Sequence, residues 1–300
     1  MTPSSAEMQR DDSKVTLATS GFQFTRIGDD GVQTFDTLSR LMHEEKITSQ
    51  CWVFVGPHDD DICLGAGLFI QAAVKAGIDA RFLVVTDGGM GYCSQEEQET
   101  IVEIRQKETL ESFKILGVES SHVDYMNYPD NGLSKYQGRR VADLSDDRMT
   151  IKGYVGLQNS FTYFLRQYRP TRVFVPTPTD LHPDHQMTHN ELMISLFHAS
   201  GNIWPELGQP LFETPSVFET AVYCDFCAAP NLEVMAAEEI FNNKLESLRA
   251  FQSQTQIEKL VRRTEEQGPV EYLREVNFPF YAPRKYTDMF TQRRAEINTR

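Results

Sequence analysis

Residues 51–67, CWVFVGPHDDDICLGAG, constrain this chain more than any other stretch. An apolar run from Cys51 to Val55 stops at Gly56-Pro57. His58, Asp59, Asp60 and Asp61 follow, and Leu64-Gly65-Ala66-Gly67 then opens an apolar helical segment. A short apolar run closed by turn residues and followed by helix reads as a buried strand feeding a helix. Ligands collect in such units where the carboxyl end of the strand meets the start of the helix, which is where the imidazole and the three carboxylates fall. Crowded there, the carboxylates repel one another and are costly to desolvate unless a cation neutralises them. The stretch reads as half of a metal site.

From residue 51 the chain alternates. Strand 51–55, helix 65–76, strand 81–86, helix 96–116 and strand 122–126 are followed by a loop-rich insert over about 127–152. Helix 155–168, strand 172–176, helix 184–199, strand 217–224 and helix 236–252 come next. This order predicts an α/β fold, a Rossmann-like, mostly parallel sheet flanked by helices. Residues 1–17 read as a flexible tail, and 18–300 as a single α/β domain. Its leader carries a turn at Gly28-Asp29-Asp30-Gly31 and a helix from Phe35 to Glu45. Its extension from Glu258 shows no clear period and becomes aromatic and proline-rich between Phe278 and Tyr286.

A formal net charge of −14 argues against a broad nucleic-acid footprint or an anionic membrane surface as partner. The polar first residues carry no secretory h-region, and no apolar stretch approaches the ~20 residues of a membrane helix. Five cysteines, an odd count, suggest reduced thiols and a cytoplasmic setting. Cys224-Asp-Phe-Cys227 has CxxC spacing, but it lies in a strand-like run from Val217 to Phe226 and has no second pair. Buried thiols explain it better than zinc.

The second half of the site follows another buried strand, Arg172 to Pro176. In TPTDLHPDHQMTH, residues 177–189, three histidines and two aspartates fall between Asp180 and His189. Asp184 can cap the next helix, which puts His185 and His189 at i, i+4 on one face. His185 together with His58 and Asp61 completes a two-histidine, one-carboxylate set. Catalytic zinc commonly takes three protein ligands and leaves a position for water, whose pKa then falls to ~7. A mixed nitrogen and oxygen set suits Zn²⁺, and also Fe²⁺ or another divalent ion.

The two motifs resemble the LmbE-like, or PIG-L, zinc-dependent de-N-acetylases, whose signatures are H-P-D-D or H-A-D-D after the first strand and a later H-P-D-H. A family glycine seven residues after the first histidine matches Gly65. The resemblance implies that Asp60 is the general base and that His58, Asp61 and His185 hold the metal. It also implies that His182 stabilises the oxyanion and that Asp184 tunes His182. Asp59 departs from the pattern, standing where Pro or Ala is usual. Val85-Thr86-Asp87-Gly88, Arg105-x-x-Glu108 with Leu116-Gly117-Val118, Tyr128-Pro129-Asp130-Asn131-Gly132, and Lys244 with Ser253-Gln254 extend the similarity over about 50–255. The insert at 133–152 and the tail after 255 lie outside it.

Arg105 and Glu108 fall on the core-facing stripe of their helix. They are either a buried ion pair or, as the family suggests for Arg105, a reach toward substrate. Asp130 would bind a sugar hydroxyl, although turn formation explains Pro-Asp-Asn-Gly equally well. His189 reads as a partner to a ligand rather than a ligand. His43, His122 and His198 read as ordinary surface or core residues. Gly65-x-Gly67 lacks the third glycine of a dinucleotide loop, and close packing explains it more simply.

The resemblance implies a metal-dependent amidohydrolase that removes acetyl from an N-acetylated amino sugar, of N-acetylglucosamine type, or from its conjugate. The alternatives are hydrolysis of another N-acyl group on a glycoconjugate or nucleotide-linked sugar, and a non-catalytic sugar-binding protein with a vestigial metal site. The expected partner is a small-molecule N-acetyl amino sugar, with no nucleic acid and no membrane span. Monomer and homo-oligomer both remain open.

Overall fold

The computed structural model describes residues 20–276, together with Thr291 and Arg294. The sequence expectations for residues 1–17 and for Phe278–Tyr286 fall outside these residues. In chain order the elements are β1 (Phe22–Gly28), β2 (Gly31–Phe35), α1 (Leu38–Leu41), β3 (Cys51–Gly56), α2 (Asp61–Lys75), β4 (Asp79–Thr86), α3 (Ile101–Ile115) and β5 (Val123–Tyr128). They continue with β6 (Arg140–Val141), β7 (Tyr154–Val155), α4 (Leu157–Tyr168), β8 (Arg172–Pro176), α5 (Pro183–Ser200), β9 (Ser216–Thr220), β10 (Leu232–Ala236), α6 (Glu238–Arg249), α7 (Ile257–Gln267) and β11 (Val270–Val276).

One nine-stranded sheet runs β2-β1-β10-β11-β9-β8-β3-β4-β5. The five strands from β9 to β5 are parallel, and the remaining four join antiparallel. The sheet is therefore mixed and mostly parallel, with helices on both faces, as the alternation predicts. Successive strand residues point to opposite faces, and the two faces are packed differently. Phe82, Phe54, Phe174 and Phe218 sit in register on neighbouring strands, with ring centroids 5.4, 4.3 and 5.1 Å apart. This aromatic row lies under α2, α3 and α6. Val53, Val55, Leu83, Val85, Val173 and Val175 face the other way, onto Phe161 of α4 and Leu192 and Leu196 of α5. Both rows are buried.

Several expectations need correcting. The leader is a β-hairpin turning at residues 28–31, and its predicted Phe35–Glu45 helix is only the single turn Leu38–Leu41. Helix α3 begins at Ile101 rather than residue 96, because Gln95–Glu97 forms a separate 3₁₀ turn. Strand β9 stops at Thr220, so Cys224 and Cys227 lie in a loop and Cys227 is exposed. All five cysteines are free. The chain after Glu258 forms most of α7 and then β11, a strand in the middle of the sheet. The insert is ordered by an Arg140–Asp146 ion pair and by a capping box between Asp143 and Asp146.

Helix α2 explains its own glycines. A Cβ on Gly65 would stand 3.0 Å from Thr220, and one on Gly67 would stand 3.0 Å from Lys244. Close packing, as the sequence suggests, is the reason for both. The helix also breaks its regular geometry at Ala66, where φ is −146°. The Leu68 and Phe69 N–H groups donate instead to the Glu271 carboxylate at 2.8 and 3.1 Å, and Lys244 pairs with Glu271 at 2.6 Å. No helix among the described residues is long and apolar enough to cross a membrane.

Candidate metal centre

The site is built at the carboxyl ends of β3, β4, β5, β8 and β9, where the parallel half of the sheet exposes its loops. Because β3 ends at Gly56, the turn at Pro57 places His58 beside the first turn of α2. A Cβ on Gly56 would lie 2.7 Å from the His58 carbonyl, so the turn needs glycine. The His58 N–H donates to Asp61 Oδ2 at 2.8 Å, which orients that carboxylate toward the imidazole.

Three atoms then converge. His58 Nδ1 and His185 Nε2 each lie 3.1 Å from Asp61 Oδ2 and 3.3 Å from each other. A tetrahedral cation with ligands at about 2.0–2.1 Å has ligand–ligand edges of about 3.3–3.4 Å. The far nitrogen of each ring faces its own carboxylate. His58 Nε2 is 3.1 Å from Asp130 Oδ1, and His185 Nδ1 is 3.3 Å from Asp180 Oδ2. Metal-ligating histidines commonly turn their second nitrogen to a carboxylate, and these two do so at ion-pair distance without a formed hydrogen bond. Asp61 Oδ1 is buried without a hydrogen-bond partner, as is Asp60 Oδ1. The donors fit a divalent cation. His58, His182 and His185 also stand close enough to share an ion, as do His58, Asp130 and Asp184. The first trio omits Asp61, which touches two of its three rings, and the second gathers on the opposite nitrogen of His58. The His58–Asp61–His185 triangle is the tighter set.

Electrostatics agree with this geometry. Burial works against a charged His58 and His185, but the Asp61 carboxylate, reinforced by Asp130 for His58 and Asp180 for His185, outweighs it. His58 is raised well above its usual range, and His185 is raised to about 9. Burial also opposes ionisation of Asp61, yet the two imidazoles hold its carboxyl well below the ordinary range. Burial lifts the Asp60 carboxyl to about 6, with Arg105 pulling down and Asp61 and Asp59 pushing up. A carboxylate poised this close to neutrality suits general base work.

A stability consequence follows for the metal-free protein. Both histidines have folded-state pKa values above the unfolded 6.5, so their contribution is complete below that pH and is lost as pH rises through the folded value. For His185 a rise from 6.5 to about 9 corresponds to roughly 3 kcal/mol at 1.36 kcal/mol per unit. Thermal melts of metal-stripped protein are expected to fall between pH 6.5 and 9. Metal-loaded protein, whose histidines are neutral throughout, is expected to hold its melting temperature over that window.

The other anticipated residues are placed as follows. His182 caps α5, its ring 4.6 Å from that of His58. Its Nδ1 accepts the Asp184 N–H at 3.2 Å, and burial, with His58 and His185 nearby, lowers its pKa. An Nδ1 that accepts leaves the ring's donor at Nε2, and the Asp184 carboxylate makes its hydrogen bonds elsewhere. That carboxylate accepts N–H bonds from Asn131 at 2.7 Å and Leu133 at 3.3 Å, and lies 3.6 Å from His58 Nε2. Asp130 faces His58 and accepts the Met90 N–H at 3.1 Å, so its carboxylate is engaged at the site's edge.

Arg105 is buried. It forms a two-pronged ion pair with Asp59, whose carboxylate also accepts from Thr109 Oγ1 at 3.2 Å, and stands 3.5 Å from Asp60. The ion-pair reading of Arg105 is the one the geometry favours, with Asp59 rather than Glu108 as partner. Glu108 instead accepts from Ser253, through the N–H at 2.8 Å and the hydroxyl at 2.7 Å. His189 lies 3.4 Å from Glu219, away from the metal donors. Sequence reasoning missed Asp180 and Tyr223. Asp180 was visible as part of the acidic and histidine cluster. Tyr223 carried no motif, and reaches the site only because the loop after β9 folds over it. A cavity of about 360 Å³ at the opposite ends of β8 and β9, lined by Arg169, Arg172 and Phe212 among others, contains none of these residues.

Comparison with known proteins gives a family match over part of the chain. Residues 53–195 match the PIG-L family model, described as GlcNAc-PI de-N-acetylase. Over 136 residues it is 28% identical to a diacetylchitobiose deacetylase of Thermococcus kodakarensis, a match covering 44% of this chain and 43% of that enzyme. Less than half the length of that relative is therefore represented. The fold is similar to that of an N,N'-diacetylchitobiose deacetylase from Pyrococcus horikoshii, with TM-score 0.61 and 21% identity over 85% of this chain and 98% of that one. It is also similar to GalB, a 4-carboxy-2-hydroxymuconate hydratase from Pseudomonas putida KT2440, with TM-score 0.58 and 16% identity over 79% and 99%. The last comparison shows that the architecture alone does not select the reaction.

Proposed function

We propose that the protein is a divalent-metal-dependent N-deacetylase acting on an N-acetylated amino sugar or its conjugate, with zinc as the native ion. The observation that carries this reading is the His58–Asp61–His185 triangle, each histidine backed by a carboxylate, with Asp60 buried beside it. The relatives named as deacetylases of acetylated chitobiose support the sugar and the bond.

His58 Nδ1, Asp61 Oδ2 and His185 Nε2 would hold the ion, and Asp130 and Asp180 would keep the two rings in the ligating tautomer. A cation held there supplies Lewis acidity to the amide carbonyl and lowers the pKa of a water. Asp60, ionised near neutral pH, takes the attacking water's proton and returns it to the departing amine. Arg105, itself neutralised by Asp59, stands close enough to steady the Asp60 carboxylate without occupying it. The neutral His182 ring donates from Nε2 to the developing oxyanion. Asp184 aims that ring with its backbone N–H, while its carboxylate ties the 131–133 loop to the site.

Acetate release from N-acetylglucosamine and its conjugates by metal-loaded protein tests the proposal. Within that assay, His182→Ala is expected to lower kcat by about 10²–10³-fold at unchanged metal content, the usual cost of removing one oxyanion donor. Equal turnover in this variant would remove His182 from the mechanism.

A further inference from the structure

Among the described residues, Tyr223 is an aromatic side chain that packs on His185 and is also partly exposed. Its ring centroid lies 5.3 Å from that of His185 at an interplanar angle of 34°, yet the residue is 39% exposed. One face is thus covered by the His185 ring, while part of the ring stays open. The phenol lies near enough to Asp60 that this carboxylate, with burial and Asp61, raises its pKa well above the usual range. The loop that carries it is pinned on both sides. The Tyr223 N–H donates to Asp180 Oδ2 at 3.1 Å, and the Asp225 carbonyl accepts from Thr179 Oγ1 at 3.0 Å. The Asp180 carboxylate that fixes this loop is the one that backs His185. Leu181, between Asp180 and His182, is 70% exposed. This large apolar side chain stands directly before His182 and four residues before His185.

We propose that Tyr223, extended by Leu181, is the specificity ledge of this active site, on which the apolar face of the substrate's pyranose ring stacks. The proposal rests on the deacetylase reading of the same site. A hexosamine ring presents a patch of C–H bonds on one face and hydroxyls around its edge, so an aromatic plane selects it over an open-chain amine. The ledge acts on the leaving amine's ring rather than on the acetyl group. It therefore changes which acetamides bind, without changing how the amide is cut.

The test compares N-acetylglucosamine with the acyclic N-acetylethanolamine, using metal-loaded wild type, Tyr223→Ala, Tyr223→Phe and Tyr223→Trp. Tyr223→Ala is expected to raise KM for the sugar roughly 3- to 10-fold, the size of one aromatic contact. Its kcat should stay near wild type, and Phe and Trp should restore KM. The acyclic amide should show no such dependence. An unchanged KM in Tyr223→Ala overturns the ledge, and so does a Phe variant as impaired as Ala, because the hydroxyl would then be what matters. If wild type cleaves neither amide, the deacetylase reading fails separately. Calorimetric titration with N-acetylglucosamine then decides the ledge on its own: weaker binding to Tyr223→Ala than to wild type sustains it, and equal or absent binding overturns it.

Discussion

Asp60→Asn is expected to lower kcat by about 10²–10⁴-fold, the range of general acid–base catalysis, while the protein takes up metal as wild type does. Asp60 and Asp61 are adjacent and both are buried, yet the fold gives them opposite electrostatic settings. Asp61 touches both ligand histidines at 3.1 Å and is held ionised well below the ordinary range. Asp60 touches neither, and burial raises it to about 6. One is dressed as a ligand and the other as a base that titrates in the working range. Asp61→Ala should therefore empty the site and abolish turnover together. Metal analysis of both variants beside their kinetics separates the roles. An Asp60→Asn protein that had lost its metal would show that the two assignments are exchanged.

Arg105→Leu is expected to destabilise the protein by about 3–5 kcal/mol, measured by denaturant unfolding, because it leaves the buried Asp59 charge without its partner. The loop Gly88–Gly91 wraps this guanidinium so closely that a Cβ on Gly91 would fall 1.9 Å from Nη1. Met90 in that loop donates to Asp130, which faces His58. Damage should therefore reach the metal affinity as well as the stability. The double variant Asp59→Ala with Arg105→Leu removes both charges and should recover most of the loss, since replacing a buried pair by apolar groups is often near neutral. A single Arg105→Leu within 1 kcal/mol of wild type would mean that Asp59 finds another partner or a proton at little cost.

The alternation of apolar runs with helical segments was enough to read the parallel half of the sheet, because strands buried on both faces are nearly continuous runs of apolar residues. Strand β3 and its HDDD turn, and strand β8 and its HPDH turn, lie side by side as that pattern requires. The antiparallel half was not legible. Strands β10 and β11 mix Glu233, Glu271, Arg274 and Glu275 with their apolar residues, and Glu271, Arg274 and Glu275 meet Lys244, Glu219 and Arg26, all distant in sequence. Glu271 is the clearest case. Its carboxylate caps the N–H groups freed by the kink in α2, some two hundred residues away, and no local pattern signals that.

At the site, the spacing put both clusters at strand ends, and the resemblance singled out His58, Asp61 and His185, whose side chains the fold brings within 3.3 Å of one another. Neither identified what supports them. The sequence leaves Asp130 as a sugar contact or a turn residue and Arg105 as a substrate contact or an ion pair, and the resemblance implies only that Asp184 tunes His182. Each of those side chains had several neighbours within reach, and only the fold determines which one it meets.

The most direct test of the central claim is metal content measured on the purified protein beside acetate release from N-acetylglucosamine conjugates, before chelation, after chelation and after adding back Zn²⁺. The expected result is bound divalent metal in near-equivalent amount, with acetate release that stops on chelation and returns with the ion. Acetate release indifferent to chelation, or a reloaded protein that releases none from any conjugate, would contradict it.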